Sequence, residues 1–226
     1  MKKSIIAIDG PSGVGKSTLS RQLAEKLGYL NLDTGAMYRV VALAASRQGI
    51  SAAEPAALAT LCREIAIRLE GRDGGERVLL NGEDVTEAIR TPEVTRLTPL
   101  FAARPEVRRA MVALQRELGR EGGVVLEGRD IGTAVFPEAD IKFFLRAAAA
   151  ERGRRRYLEM EQKGLAADLD QTIADVEARD VADSTRTDSP LIQAEDAIVI
   201  DTTELSIEEV LERMLDHIEE VLNLAD

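Results

Sequence analysis

An α/β fold, a parallel sheet covered by helices, is what this sequence predicts, on three observations. Short apolar runs recur along the chain, segments of helical periodicity separate them, and the first run opens directly into a glycine-rich turn. The runs at 4–8, 29–32, 124–126, 141–145 and 197–200 supply five strands. With 226 residues, 45% of them hydrophobic, the chain suffices for one such domain with an insertion.

Taken in order, residues 4–8 form the first strand, and after Met1-Lys2-Lys3 this apolar run is too short for a signal peptide. Residues 16–27 have the apolar spacing of a helix, which Gly28 stops. The second strand leads into a helix over 36–48 that ends at Gly49. The run 58–66 is periodic and apolar, so Cys62 within it is expected to be buried. Residues 67–69 and 77–80 flank Arg72-Asp73-Gly74-Gly75, a hairpin signal, and Asn81-Gly82 offers a second tight turn before Asp84-Val85. A small antiparallel piece is therefore expected between Ser51 and about Thr91, set into the α/β frame. Near the end, Ser206 and Glu209 form a capping box that opens a last helix running through residue 222. With no internal repeats or low-complexity linkers, a single domain over 1–226 is expected.

The formal net charge of −11 argues against a general binder of nucleic acid or anionic membrane, which would be repelled at long range. Yet 23 of the 29 basic residues are arginine, whose planar fork matches phosphate oxygens two at a time. Small phosphorylated ligands or plain genome composition would both account for that bias. With the single cysteine Cys62, no intramolecular disulfide can form, and nothing approaches an apolar run of about 20 residues. A cytoplasmic protein is expected. His217 is the only histidine, so His/Cys metal clusters are excluded and histidine triads have poor support.

Gly10-Pro11-Ser12-Gly13-Val14-Gly15-Lys16-Ser17, followed by Thr18, is a P-loop in its proper context, after a strand and before a helix. Its backbone N–H groups curl toward phosphate oxygens, and the positive end of the helix dipole adds to them. Lys16 reaches the β- and γ-phosphates of a nucleoside triphosphate, and the Ser17 hydroxyl can join a Mg²⁺ shell. Neither a guanine-reading N-K-x-D nor an L-S-G-G-Q segment is present, which favours a small-molecule kinase.

Four further groups belong near this loop. Asp33, Thr34 and Arg39 follow the second strand at the sheet edge where ligands bind; Asp33 suits metal-bound water or an N-cap equally. Glu127-Gly128-Arg129-Asp130 follows a third strand to the same edge, where charges are costly to bury unless paired or ligand-bound. Arg152, Arg154, Arg155 and Arg156 crowd one turn, either as a solvated face or as a lid over phosphates, with Lys163-Gly164 opening a flexible stretch. Arg179, Asp183 and Arg186 share one helical stripe, either a surface ladder or two cations for a phosphate with a carboxylate for a sugar.

Together these motifs resemble the bacterial cytidylate kinases. The signatures are I-D-G-P-S-G-V-G-K-S-T, L-D-T-G-A-M-Y-R, E-G-R-D-I-G-T and the stripe from Arg179 to Arg186, and the likeness spans nearly the whole chain. It implies a P-loop NTPase fold with a monophosphate-binding subdomain over about 37–100 and a lid over about 152–170. It implies transfer of the γ-phosphate of ATP to CMP or dCMP with Mg²⁺, by a monomer whose only partners are these nucleotides. The CMP phosphate would lie among Thr34, Arg39, Arg129 and Arg186, and Asp183 with Arg179 would hold the sugar. Arg108 and Asp130 would read cytosine. Arg152, Arg155 and Arg156 would serve with Lys16 in catalysis, and Ser17 and Asp33 would face the metal. Where the family offers the base a serine, this chain has Pro99 with Thr98 beside it. Thymidylate or shikimate kinases keep the P-loop but would lack the arginine stripe and inserted hairpins. An ATP-binding switch would hydrolyse slowly without an acceptor.

Overall fold

Strand β1 (Ile5–Asp9) is buried along its whole length, because both faces of the sheet are covered and an unbroken apolar run suits that position. In the computed structural model, which describes residues 3–72, 75–162 and 164–223, β1 lies at the centre of five parallel strands. On one side come β6 (Val124–Gly128) and then the edge strand β2 (Leu30–Asp33); on the other, β7 (Ile141–Arg146) and β8 (Ile198–Asp201). All five expected strands are present. Most run one or two residues past their last apolar side chain, since Asp9, Asp33, Glu127 and Gly128 keep the ladder although they interrupt the hydrophobic signal.

One face of the sheet carries α1 (Lys16–Leu27) and α8 (Ile207–Asn223), whose Leu19, Leu23, Met214 and Ile218 meet Ile6, Ile8 and Phe143. The capping box is formed: the Glu209 N–H donates to Ser206 Oγ at 3.2 Å and the Ser206 N–H to Glu209 Oε2 at 2.8 Å. Across the sheet, Leu32 and Leu126 pack on Ile131 and Val135. A third core belongs to the long excursion between β2 and β6. There α2 (Thr34–Arg47), α3 (Pro55–Glu64), α4 (Pro92–Ala102) and α5 (Pro105–Gly119) enclose one face of an antiparallel sheet. Its strands are β3 (Ile67–Arg72), β4 (Gly75–Leu80) and β5 (Glu83–Asp84).

The hairpin between β3 and β4 is where the sequence places it, although Asp73 and Gly74 of its turn lie outside the described residues. The second turn uses positive φ at both Asn81 and Gly82. Cys62 departs from expectation: it is half-buried at the margin of the third core. Helices α4 and α5 extend the excursion well beyond the antiparallel piece, and each opens with proline at its first turn, a start signal that apolar spacing alone does not give. Helices α6 (Ala149–Gln162) and α7 (Leu169–Thr185) pack against each other as a hairpin. Of the expected flexible pair between them, Lys163 lies outside the described residues and Gly164 takes a positive φ of 68°.

At the end of β1 the backbone of Gly10, with φ of 150°, passes so close to β7 that a Cβ there would sit 2.2 Å from the Leu145 carbonyl oxygen. Backbone cannot yield as a side chain can, so Gly10→Ala should destabilise the protein by about 1–3 kcal/mol. Differential scanning calorimetry should show a Tm lower by several degrees; an unchanged Tm would mean this approach is not maintained.

Candidate active site

Parallel pairing brings the ends of β1, β2 and β6 to one edge of the sheet, placing Asp9, Asp33 and Glu127 side by side. The loop 10–15 rises from that edge and α1 starts at Lys16, so the first N–H groups of the helix face the same space. Lys16 is buried, and its Nζ donates to the Pro11 carbonyl at 2.6 Å. Burial holds this ammonium well below the usual lysine range; Arg129 pushes the same way, against Glu127 and Asp9. Glu127 is pushed up to about 7 by burial and then by Asp33, with Lys16, Ser17 and Arg129 opposing. Its Oε1 is buried without a hydrogen-bond partner. Asp9 accepts from the N–H groups of Ile131 and Gly132 at 2.9 and 2.7 Å, fixing the turn after β6, and burial raises it to about 6.

Opposite the loop stands a set of arginines. Arg39 donates to Thr95 Oγ1 at 2.8 Å. Arg129 donates through Nε to Asp183 at 2.9 Å. Arg179 has a buried Nε with no partner. Burial lowers Arg179 to about 10; Arg129, Arg39 and Arg156 push the same way, and Asp183 opposes them. Arg129 and Arg179 thus act on Lys16, while Arg39 and Arg156 act on Arg179. Deeper in, Asp130 is clasped between Arg108 and Arg186, the latter at 3.1 Å, while the Arg108 guanidinium lies 5.6 Å from the centre of the Tyr38 ring. The buried Nε of Arg108 has no partner.

Several expected side chains are engaged differently from the sequence reading. The stripe on α7 is not a ladder: Asp183 turns to Arg129, and Arg186 lies beyond the last helical residue, where it reaches Asp130. Thr34 donates its hydroxyl across to the Glu127 carbonyl at 2.6 Å, so that proton is not offered to a phosphate. The Thr98 hydroxyl is likewise spent, on the Val94 carbonyl at 2.6 Å. Asp33 caps α2, accepting from the Ala36 N–H at 2.9 Å. Arg155 donates to the Thr202 carbonyl at 2.6 Å, toward β8, whereas Arg156 is exposed and pairs with Glu159. Arg152 departs most from a lid position: it is 3% exposed and packs under the P-loop.

The family model described as Cytidylate kinase matches residues 6–220. The chain belongs to the cytidylate kinase family. A cytidylate kinase of Syntrophotalea carbinolica is 61% identical over 225 residues, covering 100% of this chain and 96% of the relative. One of Geobacter sulfurreducens is 59% identical, covering 93% and 90%. Among solved structures, the shikimate kinase of Bacteroides thetaiotaomicron aligns with a TM-score of 0.52 at 16% identity, over 96% of this chain and 98% of that one. A gluconokinase of Sinorhizobium meliloti gives 0.51 at 13%, over 100% and 98%. These two share the fold of this cytidylate kinase family member. Among the described residues no helix is long and apolar enough to cross a membrane.

Sequence reasoning missed two contributors to the site. Tyr38 stands in L-D-T-G-A-M-Y-R without an assigned role, yet the Arg108 guanidinium lies over its ring. Glu76 gives no signal at all, because β4 must fold back over the end of β2 before its carboxyl meets Asp33 and Glu127. Burial and then the Asp33 charge push Glu76 up to about 8.

A carboxyl whose folded pKa exceeds its ordinary value contributes stability at low pH that is lost as pH rises through the folded pKa. For Glu76 that window runs from about 4.5 to about 8. Glu76→Gln, which cannot ionise, should therefore gain Tm relative to the parent between pH 5 and pH 9. A gain of at least about 2 °C corresponds to roughly 1 kcal/mol in a chain of this size. Parallel melting curves across that range would show that Glu76 titrates as a free carboxyl.

Proposed function

We propose that this chain transfers the γ-phosphoryl group of ATP to CMP or dCMP, giving ADP and (d)CDP. One observation carries the reading beyond family membership: the buried, unpartnered Nε of Arg179 lies within a field of Arg39, Arg129 and Arg156 that also reaches Lys16 of the P-loop. Mutually repelling cations of this kind are built for phosphate oxygens from two directions, the donor on the loop and the acceptor among the arginines.

The acceptor's phosphate oxygen is already a nucleophile, so the residues must align it and neutralise charge rather than move a proton. Lys16 and the N–H groups of Gly13, Val14, Gly15, Lys16, Ser17 and Thr18 hold the donor, with Gly10, Pro11 and Ser12 shaping the loop. Arg39, Arg129 and Arg186 hold the acceptor phosphate, assisted by Thr34 through its backbone. Asp183 and Arg179 take the sugar. Arg108 offers its free Nε to the cytosine acceptors, and Asp130 accepts from the exocyclic amine. The excursion over about 37–100 is the acceptor-binding subdomain. Of the lid expected over 152–170, Arg152 stays under the P-loop, while Arg155 and Arg156 would leave Thr202 and Glu159 for the nucleotides on a closure that excludes water.

Mg²⁺ suits the donor side. Among the described residues no three or more acidic, histidine or cysteine side chains are grouped to hold a metal. The Ser17 hydroxyl and the carboxylates of Asp33 and Glu127, whose Oε1 is orphaned, nevertheless match an ion usually held by one or two carboxylates plus phosphates and water. Bound there it would supply charge neutralisation between the β- and γ-phosphates.

A panel of CMP, dCMP, UMP and AMP in a coupled ADP-release assay tests the assignment. CMP and dCMP should exceed the others in kcat/KM by at least about tenfold, since a site that hydrogen-bonds a group leaves polar atoms unpaired with an analogue lacking it. A better rate with UMP or AMP would refute the cytidylate reading. Asp183→Ala should raise the KM for CMP by roughly 10–150-fold, the equivalent of about 1.5–3 kcal/mol for a charged hydrogen bond, and that for ATP far less. Equal rises in both would assign Asp183 a structural role through Arg129.

A further inference from the structure

The Arg152 side chain has contacts on three sides, and each belongs to a different part of the molecule. Its Nε donates to the Ala147 carbonyl at 2.9 Å, just ahead of its own helix. One terminal nitrogen donates both to the Ser12 carbonyl of the P-loop, at 3.1 Å, and to Asp180 of α7, at 3.0 Å; the other donates to the second Asp180 oxygen. The loop rests on this residue from above as well, since a Cβ at Gly13 would lie 3.2 Å from Arg152 Cβ. Asp180 is the immediate neighbour of Arg179 and stands three residues before Asp183 on the same side of α7, where Asp180 pairs with Arg152 and Asp183 with Arg129.

Helices α6 and α7 also meet backbone to backbone. A Cβ added at Gly153 would lie 2.8 Å from Ile173 Cα, so the two helices approach too closely there for any side chain. A bidentate arginine–carboxylate pair adds a directional tie to that contact. Whatever draws Arg179 and Asp183 toward an acceptor must therefore shift Asp180, and with it the guanidinium bonded to the Ser12 carbonyl. A triphosphate that tightens the loop moves the same guanidinium from its other end.

We infer that the Asp180–Arg152–Ser12 chain couples the two substrate sites, so that donor and acceptor each strengthen the binding of the other. Arg152 is then a positioning residue. This rests on the two-substrate reading above. Coupling of this sort is reciprocal and typically amounts to about 5–150-fold in affinity.

Calorimetric titration of CMP, with and without saturating Mg²⁺ and β,γ-imido-ATP, reads the coupling directly. The parent protein should bind CMP at least about fivefold more tightly when the analogue is present. Asp180→Asn, which keeps the shape but weakens the tie to Arg152, should bring that ratio to within about twofold of unity, and Asp180→Glu should recover most of it. Should Asp180→Asn fail to fold, Arg152→Lys makes the same prediction, because a single ammonium cannot hold Ser12 and both Asp180 oxygens in one plane. A folded Asp180→Asn or Arg152→Lys variant with the parental ratio overturns the inference, as does a parent protein with no coupling. Failure of the parent to bind CMP under either condition overturns the kinase reading and the inference together.

Discussion

Repulsion among cations governs this site. Lys16, Arg39, Arg129, Arg156 and Arg179 are linked by mutual repulsion, and several nearby carboxylates oppose it. Asp183 takes Arg129, and Asp130 takes Arg108 and Arg186 together. Glu127 and Asp9 both act on Lys16, and burial raises each carboxyl above its usual range. The arrangement is balanced without being dissipated: the pairs fix the directions of the guanidiniums, while the Nε groups of Arg179 and Arg108 stay uncommitted.

Such a balance needs a stiff frame, and the parallel sheet provides it. β1 is hydrogen-bonded on both sides, so the point where the chain leaves Asp9 for the loop is held by two ladders. The Asp9 carboxylate then ties the turn after β6 to β1, setting the approach of Arg129 and Asp130. On the other flank Lys142, buried and bonded to the Pro137 carbonyl and to Asp196, fastens the segment that follows this turn onto β7. Each tie joins residues far apart in sequence across a few ångströms, which is how a loop-based site acquires the precision of its scaffold.

Much of this was legible in the sequence, for local reasons. Five strands declared themselves as apolar runs, the P-loop by its glycines and Lys16, and the last helix by Ser206 and Glu209. What escaped was partner choice. Spacing put Asp183 on one face with Arg179 and Arg186, but α7 ends at Thr185 and the cross-chain partner Arg129 wins the carboxylate. Spacing grouped Arg152, Arg155 and Arg156 as lid arginines for catalysis, yet the helix buries Arg152, half-buries Arg155 and exposes Arg156 along with Arg154. Glu76 was invisible because its neighbours come from β2 and β6, and only the folding of the inserted sheet over the strand ends brings them together. Periodicity reports which face a residue occupies; it says nothing about which distant group arrives there.

The central position of β1 has a consequence for the birth of the protein. Its nearest partner in register, Val124 opposite Ile5, is made 119 positions later, and Ile141 opposite Ile6 later still. At about 5–20 residues per second, a ribosome leaves this largely apolar strand unpaired for roughly 6–24 s. Within that interval the third core, whose contacts run mostly among α2, α3, the antiparallel sheet, α4 and α5, has all its residues available. Vectorial folding therefore favours assembly of the excursion ahead of the sheet into which it is inserted, with the first strand as the segment most exposed to chaperones and to aggregation.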